Sequence, residues 1–335
     1  MDFIVVGIGF WGKEWADLLK AHPLASVVAT VDVKEPAAAW SQETLGVPCF
    51  PSLSQAIEKV PVDAVLVVTN PSQHKQVIIE ALGHGKHVLV EKPMVTSLEE
   101  ANEIAAAAEH STGKVMAAQG YRFLHSARFV RERLATGDIG ELQAVKIRFR
   151  RHLPDVIGNP EHPIYALPHS ILLDMSVHHV DLLRYITQQE VVSVVATEHD
   201  TPDNEFKHPS NAFCLMRLDR NAPALWDGDW CARGPVTSWE GEWQFIGNKA
   251  RLFWDGNIDG KTLTSVRLEI PGRQPQELLT SEPIWERRLP VLEHFVGSIR
   301  EGKQPEPSIH DNRKTLAVVF GSLESVLKKA EVRLA

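Results

Sequence analysis

The sequence has few cysteines. There are three in 335 residues, Cys49, Cys214 and Cys231, and no two have the CxxC spacing of a thiolate metal site. An odd, widely spaced set forms neither a disulfide framework nor a zinc site, and we expect a reducing compartment. No apolar run approaches the roughly 20 residues that cross a membrane, and the apolar residues 3–6 lack the charged flank of a signal peptide. We therefore expect a cytoplasmic protein that does not associate with membranes.

Positive charge is also in short supply. Lysine and arginine together number 35 against 43 aspartates and glutamates, a formal net charge of −8. Non-specific nucleic-acid binding needs a dense positive surface, so this balance argues against a nucleic-acid partner. Hydrophobic residues make up 44% of the chain and charged residues 23%, as in ordinary globular proteins. The length allows two domains, each with its own core.

The first part of the chain alternates short apolar runs with helical patterns. The runs are rich in Val, Ile and Leu without alternation, which indicates strands buried on both faces of a parallel sheet. We therefore predict a doubly wound α/β domain, a Rossmann fold, over residues 1–121. The predicted strands are 3–6, 27–31, 64–68, 87–90 and 115–118, and the predicted helices between them include 11–20, 72–82 and 98–109.

From residue 122 the rhythm changes. Apolar and charged residues alternate over 141–151, which is typical of a strand with one exposed face. Residues 152–169 have no clear period, and a loop of that length is often functional. We predict a second α/β domain, 122–335, with a large, mostly antiparallel open-faced sheet. Its predicted helices are 126–136, 171–186, 285–300 and 310–329, and its further strands lie near 191–198, 211–218, 223–232, 243–247, 250–254 and 262–270.

A glycine turn follows the first predicted strand. Gly7, Gly9 and Gly12 form GxGxxG immediately before a predicted helix. The first glycine allows the tight turn, the second lets a pyrophosphate approach the backbone, and the third lets the helix pack on the strand. Phosphates would then meet the N–H groups and positive dipole of the helix N-terminus. We expect these glycines, with Phe10 and Trp11 between them, to bind a dinucleotide.

An acidic residue ends the second predicted strand. Asp32 lies 20 residues after Gly12, where a carboxylate accepts hydrogen bonds from an adenosine ribose. It would repel a 2′-phosphate, so NAD is favoured over NADP, although Lys34 softens that preference. The alternative is a purely structural turn with an exposed aspartate at the strand end.

Two further loops follow strands of the same predicted sheet. Thr69, Asn70 and His74 come after one strand, and Glu91 and Lys92 come after the next. Ligands of open α/β sheets bind at the carboxyl ends of the strands, so we expect these residues to contact the cofactor. A lysine there can also bond a substrate hydroxyl or help move a proton. The alternatives are a solvated helical histidine and a surface ion pair.

The predicted helix 171–186 carries two acids and a histidine. Asp174, His178 and Asp181 have i,i+4 and i,i+3 spacing and would share one helical face. Asp174 can orient and support the imidazole of His178 as an acid–base pair. His179 points about 100° away. Two alternatives stay open: metal ligation by the three residues, and a salt-bridged helix in which Arg184 neutralises Asp181.

The motifs GxGxxG, strand-end Asp, TNP with a later His, EKP and DxxxHxxD occur in an order that resembles the Gfo/Idh/MocA oxidoreductase family over nearly the whole chain. The resemblance implies an NAD(P)-dependent dehydrogenase that moves a hydride between nicotinamide and a CH–OH group of a sugar, polyol or related compound. It also implies a homodimer or homotetramer formed through the open sheet.

The resemblance also implies roles for single residues. Lys92 matches the lysine of EKP, between nicotinamide and substrate. His178, helped by Asp174, matches the residue that takes the hydroxyl proton, and Asp181 matches an acid that contacts sugar hydroxyls. Arg122, in GYRFLHSARF, becomes a candidate for contact with the substrate. No metal site is predicted.

The sequence also departs from the family pattern. Lys13 and Trp15 stand where relatives often have small residues or histidine, and Asn70 and Tyr121 differ as well. These departures leave the substrate open.

Four tryptophans, Trp226, Trp230, Trp239 and Trp243, either stack on sugar or pack the sheet or a subunit interface. Two other functions remain: an NAD-retaining glycoside-cleaving or epimerising enzyme of this fold, and a non-enzymatic NAD-binding sensor.

Overall fold

The computed structural model describes residues 1–202, 204–256, 264–281 and 288–334. The chain divides into two compact units. The first comprises Met1–Gly120 and Glu286–Arg313, and the second comprises Tyr121–Trp285 and Lys314–Ala335. The domain boundary predicted from the sequence assigns residues 286–313 to the second domain, whereas the structure places them in the first unit. The predicted elements at 262–263 and 285–287 lie outside the described residues.

The first unit contains a parallel sheet. Its strands are β1 (Asp2–Val6), β2 (Ser26–Val31), β3 (Cys49–Phe50), β4 (Ala64–Val67), β5 (His87–Val90) and β6 (Val115–Ala117). Their order is β3-β2-β1-β4-β5-β6, and every pair is parallel. The order reverses between β1 and β4, which makes a crevice at the carboxyl ends of these strands. The predicted doubly wound domain is confirmed.

Most helices between the strands of this unit begin at a capped position or at the glycine turn, whereas the helix Glu35–Trp40 begins after Lys34 without a side-chain cap. The side chains of Ser52, Asn70 and Ser97 cap three of them by accepting a backbone N–H. The helix Phe10–Ala21 buries Trp15, Ala16 and Leu19 on one face, as i, i+1 and i+4 positions do. The helices are α1 (Phe10–Ala21), α2 (Glu35–Trp40), α3 (Leu53–Lys59), α4 (Pro71–Gly83) and α5 (Leu98–Glu109), and a π-helical turn, Ser41–Leu45, follows α2.

Nine strands among the described residues form the sheet of the second unit. They are β7 (Leu142–Arg150), β8 (Val191–His199), β9 (Asn211–Leu218), β10 (Pro223–Asp229), β11 (Glu242–Gly247), β12 (Arg251–Asp255), β13 (Thr264–Glu269), β14 (Gln276–Ser281) and β15 (Val332–Arg333). The order is β14-β13-β12-β11-β7-β10-β9-β8-β15, with β7 and β10 parallel and the other pairs antiparallel. The predicted, mostly antiparallel sheet is confirmed.

One face of this sheet forms the core of the unit. Cross-strand neighbours from β8 to β12 are buried there: Ala196, Cys214, Trp226, Ile147, Trp243 and Trp254. Strands β7 to β10 alternate buried and more exposed residues, so their other face is more open to solvent.

The helices of the second unit differ from the prediction in two places. The described α-helices between Tyr121 and Trp285 are α6 (His125–Ala135), α7 (Leu153–Ile157) and α8 (Val177–Thr187). The expected irregular loop contains α7 and a 3₁₀ turn, Pro163–Ala166. The expected continuous helix 171–186 starts with a π-helical turn, Ile171–Ser176, before α8 begins.

Two helices lie between β14 and β15 in the chain, α9 (Arg288–Arg300) and α10 (Ile309–Lys328). Helix α10 starts within the residues of the first unit and continues in those of the second. Within the described part of the chain, no helix has the length and apolar character to cross a membrane.

Candidate functional site

The glycine turn has little room for side chains at its first and third glycines. Gly7 has a φ of +93°, and an added Cβ would lie 2.8 Å from the backbone nitrogen of Thr69. A Cβ on Gly12 would lie 1.9 Å from the carbonyl oxygen of Gly7. Gly9, at the N-cap of α1, has no atom within 4 Å of its added Cβ. The turn therefore packs tightly on its own strand and leaves space at the helix N-terminus, which fits a bound pyrophosphate.

Asp32 is joined to this turn by hydrogen bonds. Its Oδ2 accepts the backbone N–H of Ile8 at 2.9 Å, and its Oδ1 accepts the N–H of Lys34 at 3.0 Å. Each carboxylate oxygen has a second lone pair with which to accept a ribose hydroxyl. The tertiary structure thus places the predicted acid beside the predicted glycine turn.

Two aromatic side chains flank the helix N-terminus. Phe10 and Trp11 are 71% and 57% exposed, and their ring centroids are 5.0 Å apart in an edge-to-face arrangement. Apolar rings of this size are usually covered, so their exposure is compatible with the predicted contact with a cofactor.

The loop after β4 uses two of its predicted residues for its own structure. Asn70 caps α4, because its Oδ1 accepts the backbone N–H of Ser72 at 3.1 Å. The His74 ring is buried, with Nε2 3.0 Å from the carbonyl oxygen of Thr69 and Nδ1 3.2 Å from those of Pro93 and Met94. Burial lowers the pKa of His74, and the surrounding carbonyls oppose this effect. His74 therefore lies buried between two loops and is not the solvated residue of the alternative interpretation, and its contact with the cofactor stays a prediction.

The loop after β5 carries Glu91 and Lys92, which are both half-buried. The indole N–H of Trp15 donates to Glu91 Oε1 at 2.7 Å, and the backbone N–H of Lys92 donates to Glu91 Oε2 at 3.0 Å. Glu91 is thus tied to helix α1, and its carboxylate holds the backbone of Lys92. Sequence reasoning did not find this function of Trp15, because spacing alone does not show which loop a buried helix residue reaches.

His178 is held by an aromatic neighbour in the second unit. The rings of Tyr121 and His178 stack with centroids 4.5 Å apart and planes 28° apart. His178 is in α8, whereas Asp174 is in the preceding π-helical turn. A π turn bonds i to i+5, so the expected continuous α-helix does not extend through Asp174. This departure arises because the sequence pattern does not distinguish a π turn from the α-helix it precedes.

Arg122 and Asp181 bind each other. The guanidinium Nε lies 2.5 Å from Asp181 Oδ2, and Nη2 lies 2.7 Å from Oδ1. The residues are 6% and 1% exposed. Both are predicted to contact the substrate; the structure shows them in a buried bidentate pair, and the contact with substrate stays a prediction. The alternative partner of Asp181, Arg184, instead pairs with Glu190 at 2.7 Å and donates to Thr315 at 2.7 Å.

His178 and Asp181 therefore face the same short segment. Their partners, Tyr121 and Arg122, are adjacent residues of a 3₁₀ turn, Gly120–Phe123. The predicted shared face is correct for these two helix residues, since i and i+3 positions are neighbours. The ion pair anchors the turn whose tyrosine ring covers His178.

His179 has a separate environment. Trp226 donates its indole N–H to Nδ1 at 3.0 Å, and Nε2 donates to the carbonyl oxygen of Trp239 at 3.1 Å. Burial lowers the pKa of His179 to about 4, although the bond to Trp239 opposes this shift. Trp226, Trp230 and Trp243 are buried in the core and Trp239 is half-buried. Packing of the sheet, one of the two interpretations, therefore describes the three buried tryptophans.

No cluster of three or more His, Cys, Asp or Glu side chains in the described part of the chain is arranged to hold a metal ion. Of the three residues in the metal alternative, Asp181 is engaged by Arg122.

Comparison with known families agrees with this architecture. The model of the oxidoreductase family with an NAD-binding Rossmann fold, GFO_IDH_MocA, matches residues 1–119, and the model of the GFO/IDH/MocA C-terminal domain matches residues 127–253. The chain belongs to the Gfo/Idh/MocA oxidoreductase family. Its first unit is an NAD-binding Rossmann domain, and the sequence-based family assignment is confirmed.

Similar proteins of this family extend over the whole chain. The myo-inositol 2-dehydrogenase of Thermotoga maritima is 26% identical over 336 residues, covering 98% of this chain and 97% of that protein. Two solved structures share the fold. An oxidoreductase from Agrobacterium radiobacter, in complex with NAD⁺, L-tartaric acid and magnesium, has a TM-score of 0.88 and 18% identity and covers 99% of this chain and 98% of its own. A scyllo-inositol dehydrogenase from Lactobacillus casei, with bound NAD(H) and scyllo-inositol, has a TM-score of 0.82 and 23% identity, with the same coverage.

Proposed function

We propose that this member of the Gfo/Idh/MocA family is an NAD-dependent dehydrogenase that oxidises a CH–OH group of a polyol or sugar. The observation that carries the choice of cofactor is the position of Asp32, whose carboxylate is bonded to the backbone of the glycine turn. A negative charge fixed there accepts hydrogen bonds from a ribose diol and repels a 2′-phosphate.

The first unit supplies the groups that would hold the cofactor. Gly7, Gly9 and Gly12 let the backbone and the N-terminus of α1 meet the pyrophosphate, and Asp32 accepts from the adenosine ribose. When bound, the nicotinamide ring supplies the acceptor for a hydride. The chain itself contributes orientation and charge.

Two side chains handle the proton and the oxygen of the alcohol. Oxidation of CH–OH to a carbonyl releases the hydroxyl proton, and we assign its removal to the imidazole of His178, with Asp174 supporting the positive charge. The Lys92 ammonium donates hydrogen bonds to the alcohol oxygen as it becomes a carbonyl. The stack of Tyr121 on His178 supports this assignment, because it limits the rotation of the ring that must meet the proton.

Inositols and related polyols are the proposed substrate class. The support is the full-length similarity to a myo-inositol 2-dehydrogenase. A compound with several hydroxyls also needs several hydrogen-bonding groups, and Lys92 and His178 would supply two of them.

A purified-protein assay tests this function. We expect reduced nicotinamide to form when NAD⁺ is supplied with one member of a panel of inositols, sugar alcohols and aldoses, and less with NADP⁺. Lys92→Ala and His178→Gln should each lower kcat by about 100-fold or more, the scale of one acid–base group. Lys328→Ala and His110→Gln are matched controls, because both residues are exposed and lie outside the loops after β4 and β5 and outside α8.

The outcomes separate the alternatives. Wild-type-like turnover in both Lys92→Ala and His178→Gln would reject their assigned roles. Product formed without net reduction of the cofactor would favour an NAD-retaining epimerising or glycoside-cleaving enzyme over the dehydrogenase. NAD binding without turnover of any compound in the panel would favour the sensor.

We also propose that a second copy of the chain covers the open face of the second sheet. Five apolar side chains on β8, β9 and β10 are 37–51% exposed there: Val192, Val195, Phe213, Leu215 and Leu225. Val195, Leu215 and Leu225 are direct cross-strand neighbours, so they form one continuous row. An apolar patch of this kind favours burial against another protein surface, and a homodimer or homotetramer would provide it.

A further inference from the structure

The segment that carries Lys92 is held on both sides by buried aromatic side chains from two different helices. Before Lys92, Trp15 of α1 donates its indole N–H to Glu91 Oε1 at 2.7 Å. After Lys92, the His74 ring of α4 lies 3.2 Å from the carbonyl oxygens of both Pro93 and Met94. Both rings are buried, so water does not compete with them for these hydrogen-bond partners.

The contact on the Trp15 side reaches Lys92 itself. Glu91 uses one carboxylate oxygen for the indole and the other for the backbone N–H of Lys92, at 3.0 Å. A carboxylate held at both oxygens has one orientation, whereas a carboxylate held at one oxygen can rotate about its χ3 angle. The indole donor therefore determines where Glu91 holds the Lys92 backbone, and thus where the lysine side chain starts.

We propose that Trp15 is a positioning residue for Lys92, acting through Glu91. This inference rests on the proposed function, in which the Lys92 ammonium meets the alcohol oxygen. A reacting group that moves by about 1 Å can lose about 100-fold in rate. Trp15 affects the rate through the placement of Lys92 and does not itself touch the reacting atoms.

Two substitutions of Trp15 separate positioning from packing. Trp15→Phe keeps most of the ring volume but has no N–H. Trp15→His is smaller, yet its Nε2–H occupies the same place in a five-membered ring as the indole Nε1–H. A packing residue would rank the variants by volume, with phenylalanine better. A positioning residue would rank them by the donor, with histidine better.

We expect kcat to be higher in Trp15→His than in Trp15→Phe. The kinetics are measured with NAD⁺ and with myo-inositol or scyllo-inositol, whichever the wild type oxidises faster. Trp15→Phe should lower kcat by about 10- to 100-fold, and Trp15→His should recover a large part of that loss. Thermal stability should follow the opposite order. The Kd for NAD⁺, measured by fluorescence titration, should change less than twofold or so in either variant. If kcat follows stability in both variants, the inference is wrong.

Phe3→Leu is the matched control. Phe3 is fully buried in β1 of the same unit and packs on Phe295, away from the Lys92 loop. It should lower stability while kcat stays at the wild-type value. A kcat loss in Phe3→Leu equal to that in Trp15→Phe would show that general loosening of the unit, and not the indole donor, is responsible.

A spectroscopic measurement tests the contact without any turnover. The indole N–H signal of Trp15 is identified in an ¹⁵N-labelled sample by its absence in Trp15→Phe. A proton bonded to a carboxylate is strongly deshielded, so this signal should move upfield in Glu91→Ala. An unmoved signal would overturn the inference. If the wild type oxidises neither inositol but the signal moves as expected, the proposed function is rejected, whereas the hydrogen bond from Trp15 to Glu91 is confirmed.

Discussion

Lowering the pH should destabilise the second unit through His179. This ring is fully buried, accepts the indole N–H of Trp226 at Nδ1 and donates from Nε2 to Trp239. Burial lowers its pKa to about 4. The folded protein therefore keeps His179 neutral at a pH where the unfolded chain, with an ordinary histidine pKa of about 6.5, takes up a proton.

The sign and size of the effect follow from proton linkage. Stability rises with pH wherever the unfolded state binds more protons, here between the folded pKa of about 4 and the unfolded pKa of about 6.5. The contribution of neutral His179 is complete above this window and is lost as the pH falls through it. Between about pH 7.5 and about pH 5, the loss amounts to about 2 kcal/mol.

The matched variant is His179→Gln, which does not titrate but still has an amide N–H for the carbonyl of Trp239. Urea unfolding is followed by tryptophan fluorescence, because Trp226, Trp230 and Trp243 lie in this unit. The difference in the free energy of unfolding between wild type and variant is measured at both pH values. This difference should shrink by about 2 kcal/mol at the lower pH, because groups common to both proteins cancel.

A difference that stays constant with pH would refute this account of His179. It would mean that the ring titrates similarly in the folded and unfolded chains, which is incompatible with a neutral, buried imidazole. A difference that grows at low pH would have the wrong sign and would require a protonated ring in the fold.

Two further predictions concern the second unit. Asp181→Asn should lower the free energy of unfolding by about 3–5 kcal/mol, because it leaves the buried Arg122 guanidinium without its carboxylate. Urea unfolding measures this loss. A loss no larger than that in Glu103→Gln, which breaks a surface ion pair, would contradict the prediction. Sedimentation should show an oligomer for the wild type, and Leu215→Lys should dissociate it, because the new charge lies in the exposed apolar row. Leu327→Lys, at an exposed position of α10, should leave the oligomer intact. A monomeric wild type would reject the proposed interface.

The sheet of the first unit is readable from local patterns. The predicted strands 3–6 and 87–90 agree with β1 and β5 to within one residue. Long, unbroken apolar runs separated by amphipathic helices have few other solutions. Short elements such as β3 and β15, with two residues each, were missed because so short a segment has no period.

The motifs of the candidate site can be predicted from the sequence, whereas most of the hydrogen bonds and ion pairs of their side chains cannot. The GxGxxG turn and Asp32 were placed together on spacing, and the structure joins them by a hydrogen bond. Arg122 and Asp181, 59 residues apart, are predicted at a substrate, and only the structure shows that they bind each other. A charged group in a motif looks the same in the sequence whether it faces a ligand or a buried counter-charge.

The sequence by itself determined the parallel-sheet domain, the glycine turn and the family, since these depend on local periodicity and on steric requirements of single residues. Only the tertiary structure decided what the polar groups meet: the indole of Trp15 on Glu91, the ring of His74 between two loops, and the π turn before His178. Hydrogen bonds and ion pairs depend on distances between residues remote in sequence, and only the packing of the folded chain sets these distances.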